Sequence, residues 1–150
     1  MICFADTSFL CALYREQDNS SKADAFIAQH SASITVSSLV VWEFRQSTRF
    51  QVFRFSKDRA QGFSKAEAER MLAALDANLR TGAIIVKEVE WPDVQSLAER
   101  LSAGHTMVRG NRALDILHLA TAIHLGIGQF LTFDLRQKSL AEAEQITVPL

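Results

Sequence analysis

The sequence is short of cysteine, of long apolar runs and of excess charge of either sign, and each shortage removes a class of protein. Two cysteines in 150 residues cannot build a zinc site alone, and Cys3 and Cys11 lack C-x-x-C spacing. Both are expected to be reduced core thiols, the usual state of a free cysteine. No apolar run reaches the ~18 residues of a membrane span, so no membrane association is expected. The N-terminus, MICFADTSF, has no basic segment ahead of an apolar one. It reads as a strand rather than a signal peptide, and a cytoplasmic protein is the expectation. The net charge of −1 is not the basic footprint of an unaided nucleic-acid binder. Repeats, low-complexity tracts and linkers are absent too. With 48% apolar and 22% charged residues the composition is that of an ordinary globular protein, and 150 residues suit one domain over 1–150.

What is present is alternation. Residues 2–6 read as a strand and TSFLCALYRE as the helix after it. Ser21, with Asp24 three residues on, reads as a capping box opening the helix KADAFIAQH. SITVS at 33–37 is a short β-branched strand, followed by a helix in LVVWEFRQSTRF. Ser64 with Glu67 is a second capping box. Apolar positions 68, 71, 72, 75 and 79 follow at helical spacing, and Gly82 is placed to end that helix. AIIVKEV at 83–89 is a strand. Pro92 suits a first helical turn, Gly104 is expected to close the helix, and HTMVRGN to be a polar loop. Residues 113–125 are helical up to Gly126, QFLTF is a strand, KSLAEAE a short helix and ITVP a final strand. Such alternation predicts an α/β fold with a central parallel sheet of about five strands and helices on both faces. Sites in these sheets form beyond the carboxyl ends of the strands, near the switch in strand order.

Four acidic residues fall where that topology gathers side chains. Asp6 and Asp134 each end an apolar strand; Glu43 and Asp115 lie early in helices. Mg²⁺ and Mn²⁺ take oxygen ligands, and a pair of ions ~3.5–4 Å apart clamps the attacking and leaving oxygens of an in-line phosphoryl displacement. Gathered without cations, the carboxylates would raise one another's pKa. Each acid also has a plainer role. Asp6 and Asp134 suit helix N-caps, Asp115 suits a helix N-terminus, and Glu43 suits a solvated helix surface. Glu43 is the most telling, because Val40, Val41, Trp42 and Phe44 surround it and a charge there needs a partner or a cation. The four acids are also part of the 17 that set the net charge; with cations bound, the remaining surface is slightly basic.

The N-terminal strand with DTS-x-L, the Glu in an apolar helix, R-x-LDILHLA-x-A and FLTFD-x-RQ together resemble PIN-domain ribonucleases, and among them the VapC-type toxins of toxin–antitoxin pairs. The resemblance runs from residue 1 to about 148. It implies a PIN-like three-layer fold and Mg²⁺- or Mn²⁺-dependent RNA cleavage, with Asp6, Glu43, Asp115 and Asp134 as metal ligands and catalytic groups. A metal-activated water would attack phosphorus and leave a 5′-phosphate and a 3′-hydroxyl. It further implies a tRNA or rRNA substrate, a homodimer and inhibition by a small VapB-type antitoxin. Family members often carry a Gly before the last strand, where Glu144 and Gln145 stand here.

Other residues are candidates for supporting roles. Ser8 and Thr132 flank Asp6 and Asp134 and are placed to orient a carboxylate or a metal-bound water, or to act as caps and strand hydroxyls. Thr7 reads as a helix-start residue. His118, three residues after Asp115, shares its helix face; it either steadies Asp115, contacts the scissile phosphate, or is a core histidine. Arg112, Arg136 and Lys138, with Arg109, are candidates to hold RNA phosphates or are solvated charges. In residues 44–63, Phe44, Phe50, Phe53, Phe55 and Phe63 alternate with Arg45, Arg49, Arg54 and Arg59, a composition that suits a partner surface, helix packing or base stacking. Competing functions are a PIN-like module that binds RNA or protein without cutting, a PIN nuclease of RNA turnover with no antitoxin, and metal-free cleavage by a histidine pair. A phosphatase using Asp6 as nucleophile would commonly pair it with a second aspartate close by; Thr7 and Ser8 follow instead.

Overall fold

The computed structural model describes residues 2–30 and 33–150. Its sheet has four strands of three residues each: β1 (Cys3–Ala5), β2 (Ile34–Val36), β3 (Ile84–Val86) and β4 (Gln129–Leu131). All neighbours are parallel and the order is β3-β2-β1-β4. Phe4 of β1 lies opposite Thr35 on one side and Phe130 on the other. β1 and β2 are buried throughout, as strands covered on both faces must be, so their sequences run apolar instead of alternating. β3 is an edge, with Ile85 and Val86 part-exposed.

The expected fifth strand does not form. The chain near 147 makes one isolated bridge, Gln129 to Thr147. The Thr147 N–H donates to the Gly128 carbonyl at 3.1 Å and the Phe130 N–H to the Thr147 carbonyl at 2.9 Å. Pro149 has no N–H with which to extend the ladder.

The helices flanking the sheet are α1 (Thr7–Tyr14), α2 (Ser20–Gln29), α3 (Ser38–Lys57), α4 (Lys65–Thr81), α5 (Trp91–Leu101), α6 (Met107–Arg109), α7 (Ala113–His124) and α8 (Leu135–Ala143), with a π-helical turn at Ser102–Thr106 between α5 and α6. The Ser64–Glu67 capping box forms in both directions and Gly82 ends α4. Pro92 sits in the first turn of α5. The proposed Ser21–Asp24 box does not form. A turn from Gln17 to Ser20 starts α2 earlier, Asn19 is its N-cap, and Ser21 is already inside the helix. Nor does Gly104 end a helix. A glycine does that by adopting a left-handed conformation; Gly104 lies within the π-helical turn, helical backbone continues to Arg109, and Gly110, at φ 65°, makes the stop. The expected polar loop 105–111 is therefore helical over most of its length. α3 runs on to Lys57 and α8 begins at Leu135, earlier than the KSLAEAE pattern suggested.

One apolar core joins the strands to the helices through residues such as Phe4, Phe9, Phe44, Leu75, Leu119 and Phe130. Of the aromatic–basic run only Phe44 is fully buried; Phe50 and Phe53 are more than half exposed. Arg59 lies over Phe55, Lys57 over Phe53, and Arg45 pairs with Asp76 at 2.7 Å. Among the described residues no helix is long and apolar enough to cross a membrane.

Candidate active site

β1 has β2 on one side and β4 on the other, so the strand order switches between β1 and β4, where a parallel α/β sheet opens a crevice at its carboxyl edge. Asp6 follows β1 and Asp134 follows β4 at almost the same level. Both are helix N-caps. One oxygen of Asp6 accepts the Phe9 N–H at 3.1 Å; one of Asp134 accepts the N–H groups of Arg136 and Gln137 at 2.8 and 3.2 Å. The cap therefore engages Oδ1 in each case and leaves Oδ2 for other partners. Glu43 comes from α3, and Asp115 from the first turn of α7. All four carboxylates, with Thr7, Ser8, Cys11, Ser47, Arg112 and His118, line one pocket of about 200 Å³. A larger cavity of about 370 Å³ between α5 and α7 has Glu99 as its one carboxylate and lacks such a cluster.

Asp6 is 3% exposed. Thr132 donates its hydroxyl to Oδ2 at 2.6 Å and Ser8 donates to Oδ1 at 2.7 Å. A hydroxyl has one hydrogen, so neither is free to donate elsewhere. Their oxygens instead accept backbone N–H groups: Phe133 to Ser8 at 2.9 Å and Asp134 to Thr132 at 3.0 Å. The network holds both oxygens of Asp6 in a fixed plane and ties β1 to β4. Burial pushes the Asp6 carboxyl above its usual range; the Thr132, Ser8 and Phe9 hydrogen bonds and the charge of His118 oppose this without cancelling it. Ser8 and Thr132 thus each hold one oxygen of the Asp6 carboxylate.

Glu43 obtains the partners its apolar surroundings require. The Thr7 hydroxyl and His118 Nε2 both meet its Oε2, the latter at 2.6 Å. Burial raises the Glu43 pKa, but these two hydrogen bonds and the charges of His118 and Arg112 outweigh it, so the carboxyl lies below its usual range. His118 is 2% exposed and steadies Glu43 rather than Asp115: α7 carries its ring across to α3. The Thr7 role was missed, although its place beside Asp6 and Ser8 was a signal. Ser47 and Cys11 were missed as well; each is one helical turn from a pocket residue, Glu43 and Thr7.

Arg112 lies inside the pocket wall. Its Nε donates to Asp115 Oδ2 at 3.1 Å and a terminal nitrogen donates to Asp134 Oδ2 at 3.2 Å. Its backbone N–H donates to the same Asp115 oxygen at 3.3 Å. Arg136 and Lys138 do not line this pocket. Arg136 borders a surface hollow with Arg109, Leu135 and Ser139, and Lys138 donates to the Leu150 carbonyl at 2.7 Å. His118 is the one histidine in the pocket. His105 pairs with Glu144, His124 accepts the Glu90 N–H, and His30 meets the Phe26 carbonyl. Among the described residues no two histidines share the pocket.

Among the described residues no three His, Cys, Asp or Glu side chains already converge as a formed ligand set. The reason is visible in the hydrogen bonds: hydroxyls hold Asp6, Thr7 and His118 hold Glu43, and a guanidinium stands between Asp115 and Asp134. The donors nonetheless suit a hard divalent cation. They are all carboxylate oxygens in one pocket, and the Arg112 guanidinium marks where positive charge is required between two of them.

A parallel α/β sheet with a carboxylate-lined crevice at its switch point defines the class. Residues 3–143 match the PIN domain family, and the chain belongs to it. No curated protein sequence matches the chain. Among solved structures it is similar to VapC20 of Mycobacterium tuberculosis, described as a sarcin–ricin loop cleaving toxin, at 20% identity and a TM-score of 0.67, over 91% of this chain and 93% of that one. It is also similar to FitAcB of Neisseria gonorrhoeae, at 16% identity and a TM-score of 0.62, over 98% and 96% of the two chains. At these identities the likeness establishes the fold.

Proposed function

We propose that this protein is a Mg²⁺- or Mn²⁺-dependent endoribonuclease and the toxin of a toxin–antitoxin pair. One observation carries the reading: four carboxylates from α1, α3, α7 and α8 or their caps, separated by up to 128 residues in sequence, line a single pocket. Family membership and the likeness to a toxin that cleaves the sarcin–ricin loop support it.

In this reading Asp6, Glu43, Asp115 and Asp134 hold the cation and are the catalytic groups. Bound there, a divalent ion activates water and offsets charge growing on the phosphate. The chain's own residues prepare that chemistry. Ser8 and Thr132 fix the plane of the Asp6 carboxylate. Thr7 and His118 fix Glu43 and keep it ionised at neutral pH. Arg112 offers its guanidinium to an RNA phosphate at the pocket mouth, and Arg136 and Lys138, further along α8, extend the basic track. The products carry a 5′-phosphate and a 3′-hydroxyl. The substrate is tRNA or rRNA, the enzyme acts in the cytoplasm as a homodimer of one domain, and a VapB-type antitoxin restrains it. The exposed aromatic face of α3, with Trp42, Phe50 and Phe53 more than half exposed, suits a protein partner, since aromatics concentrate at interfaces.

The test is cleavage of total RNA by purified protein with Mg²⁺ or Mn²⁺, with EDTA and Asp6→Asn as controls. Asn keeps the helix cap and removes the charge. Activity is expected to vanish with EDTA and to fall by ~100-fold or more in Asp6→Asn, at least the loss typical of removing even an outer partner of a metal site. Products are expected to carry 5′-phosphates. RNA binding without cleavage, unchanged by Asp6→Asn, would replace the enzyme with a binding module.

A further inference from the structure

The pocket contains a charge arrangement that the proposed chemistry does not by itself explain. Four carboxylates line it, and two of them are held by hydrogen bonds from within the fold: Asp6 by Thr132 and Ser8, Glu43 by Thr7 and His118. Asp115 and Asp134 depend instead on Arg112, which reaches the Oδ2 of each at 3.1 and 3.2 Å. Among the described residues the one permanent cation lining the pocket is thus shared by the two carboxylates that lack a buried donor at Oδ2.

The two halves of the pocket differ in how firmly they are held. Thr132, which donates to Asp6, and the His118 ring are buried and Ser8 is part-buried, whereas the Arg112 side chain is 63% exposed. It is fastened by its ion pairs and its backbone position ahead of α7, not by packing. Removing the guanidinium from the pocket breaks two ion pairs that are exposed on the arginine side, the Asp115 and Asp134 side chains being 11% and 28% exposed, and solvent already surrounds the arginine.

We propose that Arg112 is an internal counter-ion that exchanges with the divalent cation. Without cation it bridges Asp115 and Asp134 and keeps the crevice from flying apart electrostatically. The arriving cation must displace it, and the freed guanidinium then stands at the mouth of the pocket. Arg112 is a positioning residue in this scheme: it sets the threshold for loading the site. The inference rests on the proposed cation site.

The experiment is calorimetric titration of Mn²⁺ into the full chain without RNA, for the wild type, Arg112→Ala, Arg112→Lys and Arg136→Ala. If Arg112 competes with the cation, Arg112→Ala binds Mn²⁺ more tightly, by at least roughly two- to thirtyfold, the span two ion pairs would set if exposed on both sides. Arg112→Lys, a point charge without the fork, falls between. Arg136→Ala makes the same change in net charge, keeps the backbone N–H that caps Asp134, removes no side-chain contact of Asp115 or Asp134, and should leave affinity near the wild-type value. Equal or weaker binding by Arg112→Ala, or an equal gain in Arg136→Ala, overturns the exchange and leaves the cation site standing. No Mn²⁺ binding by any of the proteins overturns both the exchange and the metal-dependent reading on which it rests.

Discussion

Asp6 serves the fold and the proposed chemistry with different oxygens. Oδ1 caps α1 and accepts from Ser8, while Oδ2 accepts from Thr132. Thr132 is itself a junction, because its oxygen accepts the Asp134 N–H and so links the two carboxylates at the switch point. Thr132→Val keeps the shape and removes both hydrogen bonds. It is expected to cost about 1–3 kcal/mol, since a buried carboxylate oxygen and an N–H lose their partners. It should also lower kcat/KM by ~10–100-fold through a loosened Asp6. Urea unfolding and steady-state cleavage of a short RNA read the two effects separately. Lost stability with cleavage intact would confine Thr132 to a structural role.

Elements were legible where their signals were local. The Ser64–Glu67 box and Pro92 act within one turn of chain, and the structure keeps both. Ser21 with Asp24 has similar spacing, but a turn only residues upstream started the helix first. Gly104 fails as a stop for a related reason: composition does not reveal backbone conformation, and Gly110 rather than Gly104 is left-handed. The final turn gives a sharper case. Gln145 has φ 61°, a left-handed conformation that glycine adopts at no steric cost, and the Gln145 N–H still closes the turn on the Glu142 carbonyl at 3.0 Å. A side chain pays for that conformation through contact between Cβ and the carbonyl. Gln145→Gly is therefore expected to stabilise the protein by about 0.5–1 kcal/mol after glycine's own entropy cost. A melting temperature that stays level or drops would show that the Gln145 side chain contributes as much as its strain costs.

At the scale of the whole molecule, α8 is tied to α5 and the π-helical turn by Glu144, which meets Arg100 at 2.9 Å and His105 at 2.7 Å. Burial raises the Glu144 pKa, but hydrogen bonds from His105 and Arg100 and their charges outweigh it, and the carboxyl lies below its ordinary 4.5. A depressed carboxyl stabilises the fold fully above its unfolded pKa, and that stabilisation disappears as pH falls through the folded one. Glu144→Gln should accordingly be less stable than wild type at pH 7, by about 0.5–1 kcal/mol given that Arg100 is half exposed to solvent screening. The difference should close as pH falls below 4.5 towards the folded pKa. Urea midpoints of both proteins in a series from pH 7 downwards check this, and a gap that does not narrow as pH falls below 4.5 would assign the loss to packing.

The amino-acid sequence by itself determined the alternation of strands and helices, and it placed Asp6 and Asp134 at strand ends and Glu43 and Asp115 early in helices. These are properties of periodicity and of neighbours a few residues away. The four acids, Ser8, Thr132 and His118 were all legible as candidates on that basis. Only the tertiary structure decided what each one touches. His118 shares a helix face with Asp115 yet reaches Glu43, because the fold brings that carboxylate of α3 within 2.6 Å of its Nε2. Thr7 reads as a helix start and proves to hold Glu43, 36 residues away. Arg112 reads as a rim charge, and the structure shows that it also bridges two carboxylates. The sheet stops at four strands because Pro149 has no N–H to offer. Hydrogen bonds and ion pairs depend on distance in space, and the parallel sheet with its long crossovers brings together residues that the chain keeps far apart.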